Sequence, residues 1–444
     1  MYPPHELIRN KMSAANIPGM QVCVIGIDTV LWHHNYGYAN LNDSTPVTDS
    51  TLFNAFSIGK SITGAQVLQL QEKGMIGLDE NICHIVPFNL DNPYLDYDSV
   101  SIRMLMTHTS SIKDYNFENH VVLGDPAESL ASFIANYLDP EGDYYSLGNF
   151  MIYPGGTAYS YTNIGIGLNG YLVEVLSGID FDQHVHDSIF ISLDMQRTCF
   201  FISDLNIYNL AIGYDPDGSP NPHYGCSPYP GVSMRSRALE LSNFAIMMIN
   251  DGIFRGKRIL EKETIDSMCV VQYPTLSNSG LGLYRYQLQN IMDTVWGHRG
   301  GGTLGYAAHL LFNRDEHTAV VVMTNSSTFV FDIMDELFTY AEYLRDSTTV
   351  HIEDIRFSEN IASLNIQPNP FRDQCRISYE LPVASHIKLE IFDLHGNRVA
   401  EILSNQQPAG KQEVIFNTGK LRPGIYICRL QCDKNNISKK IIRL

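Results

Sequence analysis

Phe56-Ser57-Ile58-Gly59-Lys60-Ser61-Ile62-Thr63-Gly64 sets a hydroxyl and an amine three residues apart at the opening of a predicted helix. Residues at that offset are neighbours on a helix, so Ser57 and Lys60 stand side by side. A serine hydroxyl is a weak nucleophile until a base takes its proton, and a lysine becomes such a base when burial or nearby positive potential lowers its pKa. The positive end of a helix supplies that potential. The helix is legible from Thr63 to Lys73, where Ala65, Val67, Leu68 and Leu70 recur among Gln66, Gln69, Gln71 and Glu72, and Gly74 stops it. The chemistry is therefore expected at the helix start, where backbone N–H groups lack partners.

The same offset recurs at Ser110/Lys113 and Ser385/Lys388, where two surface residues are the plain explanation. Two further motifs single out Ser57. Tyr161-Thr162-Asn163 lies inside the glycine-rich Pro154-Gly155-Gly156-Thr157-Ala158-Tyr159-Ser160-Tyr161-Thr162-Asn163-Ile164-Gly165. His298-Arg299-Gly300 lies inside Trp296-Gly297-His298-Arg299-Gly300-Gly301-Gly302-Thr303-Leu304-Gly305. The look-alikes Tyr38-Ala39-Asn40 and His223-Tyr224-Gly225 lack such flanks, and Tyr38 precedes the serine.

With these motifs in this order, the chain resembles the serine β-lactamase and penicillin-binding protein superfamily, and more closely its class C-like branch of esterases, D-amino-acid peptidases and β-lactamases. The resemblance runs from about Ile17 to about Tyr343. Within it, Ser101-Ile102-Arg103-Met104-Leu105-Met106-Thr107-His108-Thr109-Ser110-Ser111-Ile112 is similar to the family's L-x-T-H-T-S-G segment, with Ser111 where glycine is usual. Pro230-Gly231-Val232-Ser233-Met234-Arg235-Ser236-Arg237-Ala238-Leu239 is similar to the family's G-G-x-x-S-T-x-x-D-L stretch without its aspartate.

The resemblance implies an α+β fold: an antiparallel sheet on which the two ends of the domain pack together, flanked by helices, with a mostly helical subdomain between. It implies that Ser57 attacks a carbonyl and becomes acylated, that Lys60 takes or relays its proton, and that Tyr161 protonates the leaving group and later activates water. A tyrosine with an ordinary pKa near 10 needs a neighbouring cation for that last task, and Lys60 is expected to provide it. Asn163 is expected to hydrogen-bond Lys60 or the substrate amide. The oxyanion hole would consist of the Ser57 and Gly301 backbone N–H groups, with Gly300, Gly302 and Tyr159 along the substrate. No cofactor is expected.

His298 bears on substrate choice. Relatives that bind substrates ending in a carboxylate often carry lysine there, a permanent cation, whereas histidine with a pKa of about 6.5 is mostly neutral. Alternation along a strand turns Arg299 away from the site that His298 faces. Esters or amides without an essential free carboxylate are thus the expected substrates.

Asp182-Gln183-His184-Val185-His186-Asp187 has the composition of a metal cluster, but in a helix residues two apart do not share a face, so a solvated surface is expected. His108 is expected to hold its loop, and Asp143-Tyr144-Tyr145 to fill a core or line a pocket. No C-x-x-C pair, P-loop or dinucleotide fingerprint is present, so no metal, nucleoside triphosphate or nicotinamide is implied.

The 444 residues, 44 % hydrophobic, suffice for two or more domains, and a net charge of −18 argues against nucleic acid as a partner. Residues 365–444 carry a net charge of +5, which leaves −23 on the first 364. That jump marks a separate module. Its alternating runs, Cys375–Leu381, Ile387–Asp393 and Gly424–Leu430, are separated by the turn signals His395-Gly396-Asn397, Pro408-Ala409-Gly410 and Arg422-Pro423-Gly424, the pattern of a small antiparallel β-sandwich. The module resembles the C-terminal sorting domains of type IX secretion cargo in Gln367-Pro368-Asn369-Pro370-Phe371, in Ile391-Phe392-Asp393-Leu394-His395-Gly396-Asn397-Arg398-Val399, in Leu421-Arg422-Pro423-Gly424-Ile425-Tyr426 and in Lys439-Lys440-Ile441-Ile442-Arg443-Leu444. This implies the secretion machinery as a partner and export through the periplasm to the cell surface or beyond. A carbohydrate-binding or purely structural sandwich is the alternative.

The expected domains are 1–345, a polar linker over 346–364, and 365–444. Met1-Tyr2-Pro3-Pro4-His5-Glu6 shows no signal peptide, so a truncated or mis-assigned start is expected, and no run of 18 apolar residues spans a membrane. Eight cysteines permit disulfides, although Cys428 and Cys432, about 13 Å apart on one strand, are too distant to bond there. Three functions stay open: hydrolysis of esters or D-amino-acid amides and peptides, the same machinery on peptidoglycan stems or β-lactams, and an idle surface-displayed binding module.

Overall fold

The structure, a computed structural model, describes residues 3–95, 99–288, 294–348, 363–393, 398–417, 419, 421, 424–432 and 435–443. Seven strands of the first unit, Met1–Ser347, form one antiparallel sheet. They are β1 (Gly19–Gly26), β2 (Thr29–Asn40), β3 (Thr45–Pro46), β4 (Tyr284–Gln287), β5 (Thr294–Thr303), β6 (Tyr306–Asn313) and β7 (Thr318–Thr324), in the order β4-β5-β6-β7-β1-β2-β3. The two ends of the unit do meet on the sheet: β1 pairs with β7, Met20 opposite Thr324. Every residue of β1, β6 and β7 is buried, because helices cover both faces.

Alternation sorts these strands between two cores. Val22, Val24, Val320 and Val322 pack with Ile8 and Met12 of α1 (His5–Ala14) and with Met334, Leu337 and Phe338 of a helix at Met334–Thr348. Cys23, Ile25, Val321 and Met323 face the opposite side, onto the larger core. That core contains α2 (Gly59–Glu72), α3 (Asn163–Ser177) and α4 (Ala238–Ile249), of the mostly helical stretch between β3 and β4. α2 begins four residues before the periodic segment at Thr63, since its first turn is buried nearly all round and shows no amphipathic stripe.

The second unit, Thr348–Leu444, is all-β. Ser363–Gln367, Gln374–Leu381 and Gly410–Asn417 form a three-stranded sheet; Ser385–Phe392, Arg398–Gln407, Gly424–Cys432 and Asn435–Arg443 form a four-stranded one. Ile377, Tyr379, Ile387, Leu389, Ile391 and Leu430 make their shared core. Gly410 takes φ +98° at one expected turn. The other two expected turns, His395-Gly396-Asn397 and most of Arg422-Pro423-Gly424, lie outside the described residues, as do residues 349–362 of the expected linker. None of the eight cysteines, all among the described residues, forms a disulfide. Among the described residues no single helix is long and apolar enough to cross a membrane.

Ser111 explains why glycine suits its position: its φ is +69°, a left-handed conformation strained for a side chain. Its hydroxyl offsets that strain, donating to the carbonyls of Met151 (3.0 Å) and Tyr153 (2.8 Å) and accepting from Asn92 Nδ2 (2.9 Å). Ser111→Ala keeps the strain and strands these partners, so chemical denaturation is expected to show a loss of about 1–3 kcal/mol. Ser111→Gly removes both strain and hydroxyl, and the expected loss is smaller.

Candidate active site

Ser57 sits in a single 3-10 turn, Phe56–Ile58, that feeds directly into α2. The turn starts at Phe56 with φ +45°, and Phe56 N–H donates to Asn54 Oδ1 at 2.9 Å, which fixes the corner presenting the serine. Lys60, fully buried in the first turn of α2, lies within 3.0 Å of Ser57 Oγ. Its Nζ also donates to Asn163 Oδ1 at 2.6 Å and to the Gly231 carbonyl at 2.8 Å. Burial pushes the Lys60 pKa down to about 7, with Asp114 and Cys226 pulling the other way. The uncharged amine is then accessible near neutral pH.

Tyr161 approaches from the opposite side, its hydroxyl 2.8 Å from Ser57 Oγ and its ring 4.9 Å from Lys60 Nζ. Although 38 % of the residue is exposed, desolvation at its hydroxyl end raises its pKa well above the ordinary phenol range, only partly relieved by Ser57. Lys60 is the neighbouring cation expected beside it, although burial and not Lys60 dominates the direction of the Tyr161 shift. His108 holds this corner as expected: its Nδ1 accepts from the Thr162 N–H at 3.2 Å, and its ring lies 4.4 Å from that of Tyr161.

On β5, burial and Lys60 push the His298 pKa down to about 3, so the ring is neutral. Its Nδ1 is 2.6 Å from the Arg299 carbonyl, which only accepts, so Nδ1 carries the proton. The buried Nε2 is left with a lone pair and no hydrogen-bond partner among the described residues.

Gly300 lets β5 pass directly against the nucleophile's turn, since a Cβ there would stand 1.9 Å from the Ala55 carbonyl oxygen and 3.2 Å from Ser57 N. Gly301, at φ +86°, would drive a Cβ to 2.2 Å from the Tyr306 carbonyl oxygen. Gly301 lines the cavity with Ser57; Gly300 and Gly302 do not, the latter being turned to Phe329.

The cavity has a volume of about 880 Å³, room for a drug-sized ligand. Ser57, Tyr161, Asn163 and His298 line it, and Lys60 lies beneath. Tyr159 lines it too, its hydroxyl 2.7 Å from that of Tyr284, whereas Tyr144 and Tyr145 stay outside. Arg299 pairs with His309 on the face of β5 opposite to that of His298, as strand alternation predicts, and it also borders the cavity. Its guanidinium lies 5.6, 5.1 and 5.8 Å from the ring centres of Tyr286, Phe329 and Phe331. A neutral His298 alone does not set the charge of this cavity. The 182–187 segment, expected to be surface, gathers no metal site, and no group of three or more His, Cys, Asp or Glu among the described residues is placed to hold one.

Residues 5–340 match the family model described as Beta-lactamase. The chain belongs to the β-lactamase family. Penicillin-binding protein 4* of Bacillus subtilis is 27 % identical over 197 residues, 42 % of this chain and 39 % of that protein, so the match spans about two fifths of the relative's length. Protein flp of Staphylococcus aureus is 20 % identical over 359 residues, 78 % of this chain and 68 % of that protein. Solved structures of similar fold include the octameric penicillin-binding protein homologue from Pyrococcus abyssi, with TM-score 0.61 at 19 % identity over 99 % of this chain and 95 % of that one. The D-amino acid amidase from Ochrobactrum anthropi has TM-score 0.58 at 20 % identity, over 76 % and 94 %. Residues 365–443 match the secretion system C-terminal sorting domain, which implies contact with the secretion machinery and delivery to the cell surface or outside.

In this β-lactamase-family chain, which lacks the family's aspartate in the 230–239 segment, a buried acid stands just after that segment. Glu240, buried in the first turn of α4, accepts from Thr198 Oγ1 at 2.6 Å and Arg237 Nε at 3.0 Å. Sequence reasoning missed Asp114, Tyr284 and the Gly231 carbonyl. Asp114 follows the Thr107–Ser111 segment closely, the one signal that pointed to it. Gly300→Ala is expected to leave a folded protein whose β5 is pushed off the Ser57 turn, with kcat/KM for a chromogenic ester down more than about 10²-fold. Ester kinetics beside a melting curve checks this.

Proposed function

We propose that the first unit is a serine hydrolase working through an acyl-enzyme on Ser57, cleaving esters or D-amino-acid amides and peptides. The observation that carries this reading is Ser57 Oγ lying between Lys60 Nζ at 3.0 Å and the Tyr161 hydroxyl at 2.8 Å. Neutral Lys60 takes the serine proton as Oγ attacks the carbonyl. The developing oxyanion is received by the Ser57 and Gly301 N–H groups, one such donor being worth about 10²–10³ in rate. Tyr161, kept protonated, hands a proton to the leaving group and regains one by way of Lys60. Deacylation repeats the sequence with water in place of the serine. An idle binding module needs no buried, uncharged lysine aimed at a serine, so it is the weaker reading.

A second reading is favoured by Arg299. Arg299 is among the residues lining the cavity and its guanidinium lies beside Phe329, another of them, so a substrate bearing a carboxylate would suit it. This supports D-Ala-D-Ala carboxypeptidase or β-lactamase activity more than His298 alone allowed. Export by the sorting domain would carry either activity outward through the periplasm.

Time-resolved intact mass of the protein mixed with a penicillin separates the readings, with Ser57→Ala as control and a chromogenic acetate ester alongside. A lasting adduct on Ser57 marks a peptidase, and drug loss with little adduct marks a β-lactamase. Serine-dependent ester cleavage with neither marks an esterase, and unchanged hydrolysis by Ser57→Ala overturns the acyl-enzyme.

The pH profile has a defined sign. A general base with a pKa of about 7 works only when deprotonated, so kcat/KM is expected to fall about tenfold per pH unit below that value. No limb from His298 is expected between pH 5 and 9, since its pKa is about 3. Initial rates across that range in constant ionic strength check both points.

A further inference from the structure

Asp114 takes no part in the steps above, yet its carboxylate gathers the whole start of α3. Oδ1 accepts from Thr162 Oγ1 (2.8 Å), Asn163 N (2.8 Å) and Ile164 N (3.1 Å). Oδ2 accepts from Asn163 Nδ2 at 2.8 Å. A carboxylate only accepts, so the end of the Asn163 amide turned toward Asp114 must be its NH₂. The other end, Oδ1, is thereby committed to Lys60, 2.6 Å away.

This matters for the geometry of the base. A neutral amine has two N–H bonds and one lone pair. Lys60 Nζ has three close neighbours: the Gly231 carbonyl, Asn163 Oδ1 and Ser57 Oγ. The first two are obligate acceptors and consume both N–H bonds, which leaves the lone pair directed at Ser57 Oγ. If the Asn163 amide turned over, its NH₂ would draw the lone pair away from the serine.

We propose that Asp114 is a positioning residue for catalysis: by fixing which end of the Asn163 amide faces Lys60, it aims the Lys60 lone pair at Ser57. The proposal rests on the acyl-enzyme reading of Ser57. The charged and titratable groups around Lys60 are Asp114, Cys226, His108, His298 and Tyr161. Of these, Asp114 is the largest influence that favours the ammonium form, so its charge also sets where the acid limb falls.

The test is a charge transposition read by the pH profile of ester acylation. Asp114→Asn keeps the shape but offers an NH₂ to Asn163, turning its amide over. Acylation is expected to fall by about 10²-fold or more, the range lost with a general base, and the acid limb to move to lower pH. Adding Asn163→Asp restores an acceptor facing Lys60 and a donor–acceptor pair behind it. The double variant is expected to recover at least about tenfold of the loss, with its acid limb above the wild-type value because the carboxylate now touches Lys60. A fall in melting temperature with no movement of the limb, or a double variant no better than Asp114→Asn, overturns the proposal. If Asp114→Asn does not fold, the double variant alone decides: a limb at or below the wild-type position overturns it. Wild-type protein showing no Ser57-dependent turnover sinks the acyl-enzyme reading instead, so the two failures are distinct.

Discussion

A lysine side chain with no exposed surface, ringed by a serine hydroxyl, an asparagine amide and a backbone carbonyl, is the constraint on which the site depends. Removing an ammonium from water is costly unless an opposite charge meets it, and here no carboxylate touches it. The protein therefore holds the amine near the point of losing its proton. Three pieces of chain far apart in sequence must arrive within hydrogen-bond reach of one nitrogen: the turn before α2, the start of α3, and the loop at Gly231. The bare glycine backbone of β5 then closes over the top. Small displacements in any of these change which atom the nitrogen's lone pair meets.

What the sequence disclosed and what it hid divide along physical lines. Ser57 with Lys60, and Tyr161 with Asn163, are spaced by local helix and turn geometry, so short motifs were enough to find them. The strands of the first unit were legible as apolar runs, and the second unit as alternation with turn residues. Asp114 and the Gly231 carbonyl were not legible as parts of the site. A carbonyl is present at every residue, and Asp114 becomes a partner of Asn163 only through tertiary packing. The periodicity that begins at Thr63 starts inside α2 because the helix's first turn, buried nearly all round, has no stripe to read.

Arg299 shows how a residue can obey alternation and still border the cavity. Alternation describes the direction in which a Cβ leaves a strand, whereas a guanidinium rides on a long flexible stem and settles where aromatic faces and solvent allow. Tyr286, Phe329 and Phe331 provide those faces. The result is a cavity centred on Ser57, with a neutral His298 inside it and Arg299 among the residues that line it.

The pairing of Met20 with Thr324 has a bearing on how the chain reaches this state. β1 has β2 as a local neighbour, but its other edge stays open until β7 has been synthesised. Loop closure over that span is slow compared with helix formation, so the helical stretch holding Ser57 and Tyr161 has time to collapse first. The central strands, rich in apolar residues, are meanwhile exposed along their edges, a hazard for self-association. Biogenesis of this protein is thus a race between completing one seven-stranded sheet and aggregating through its unfinished middle.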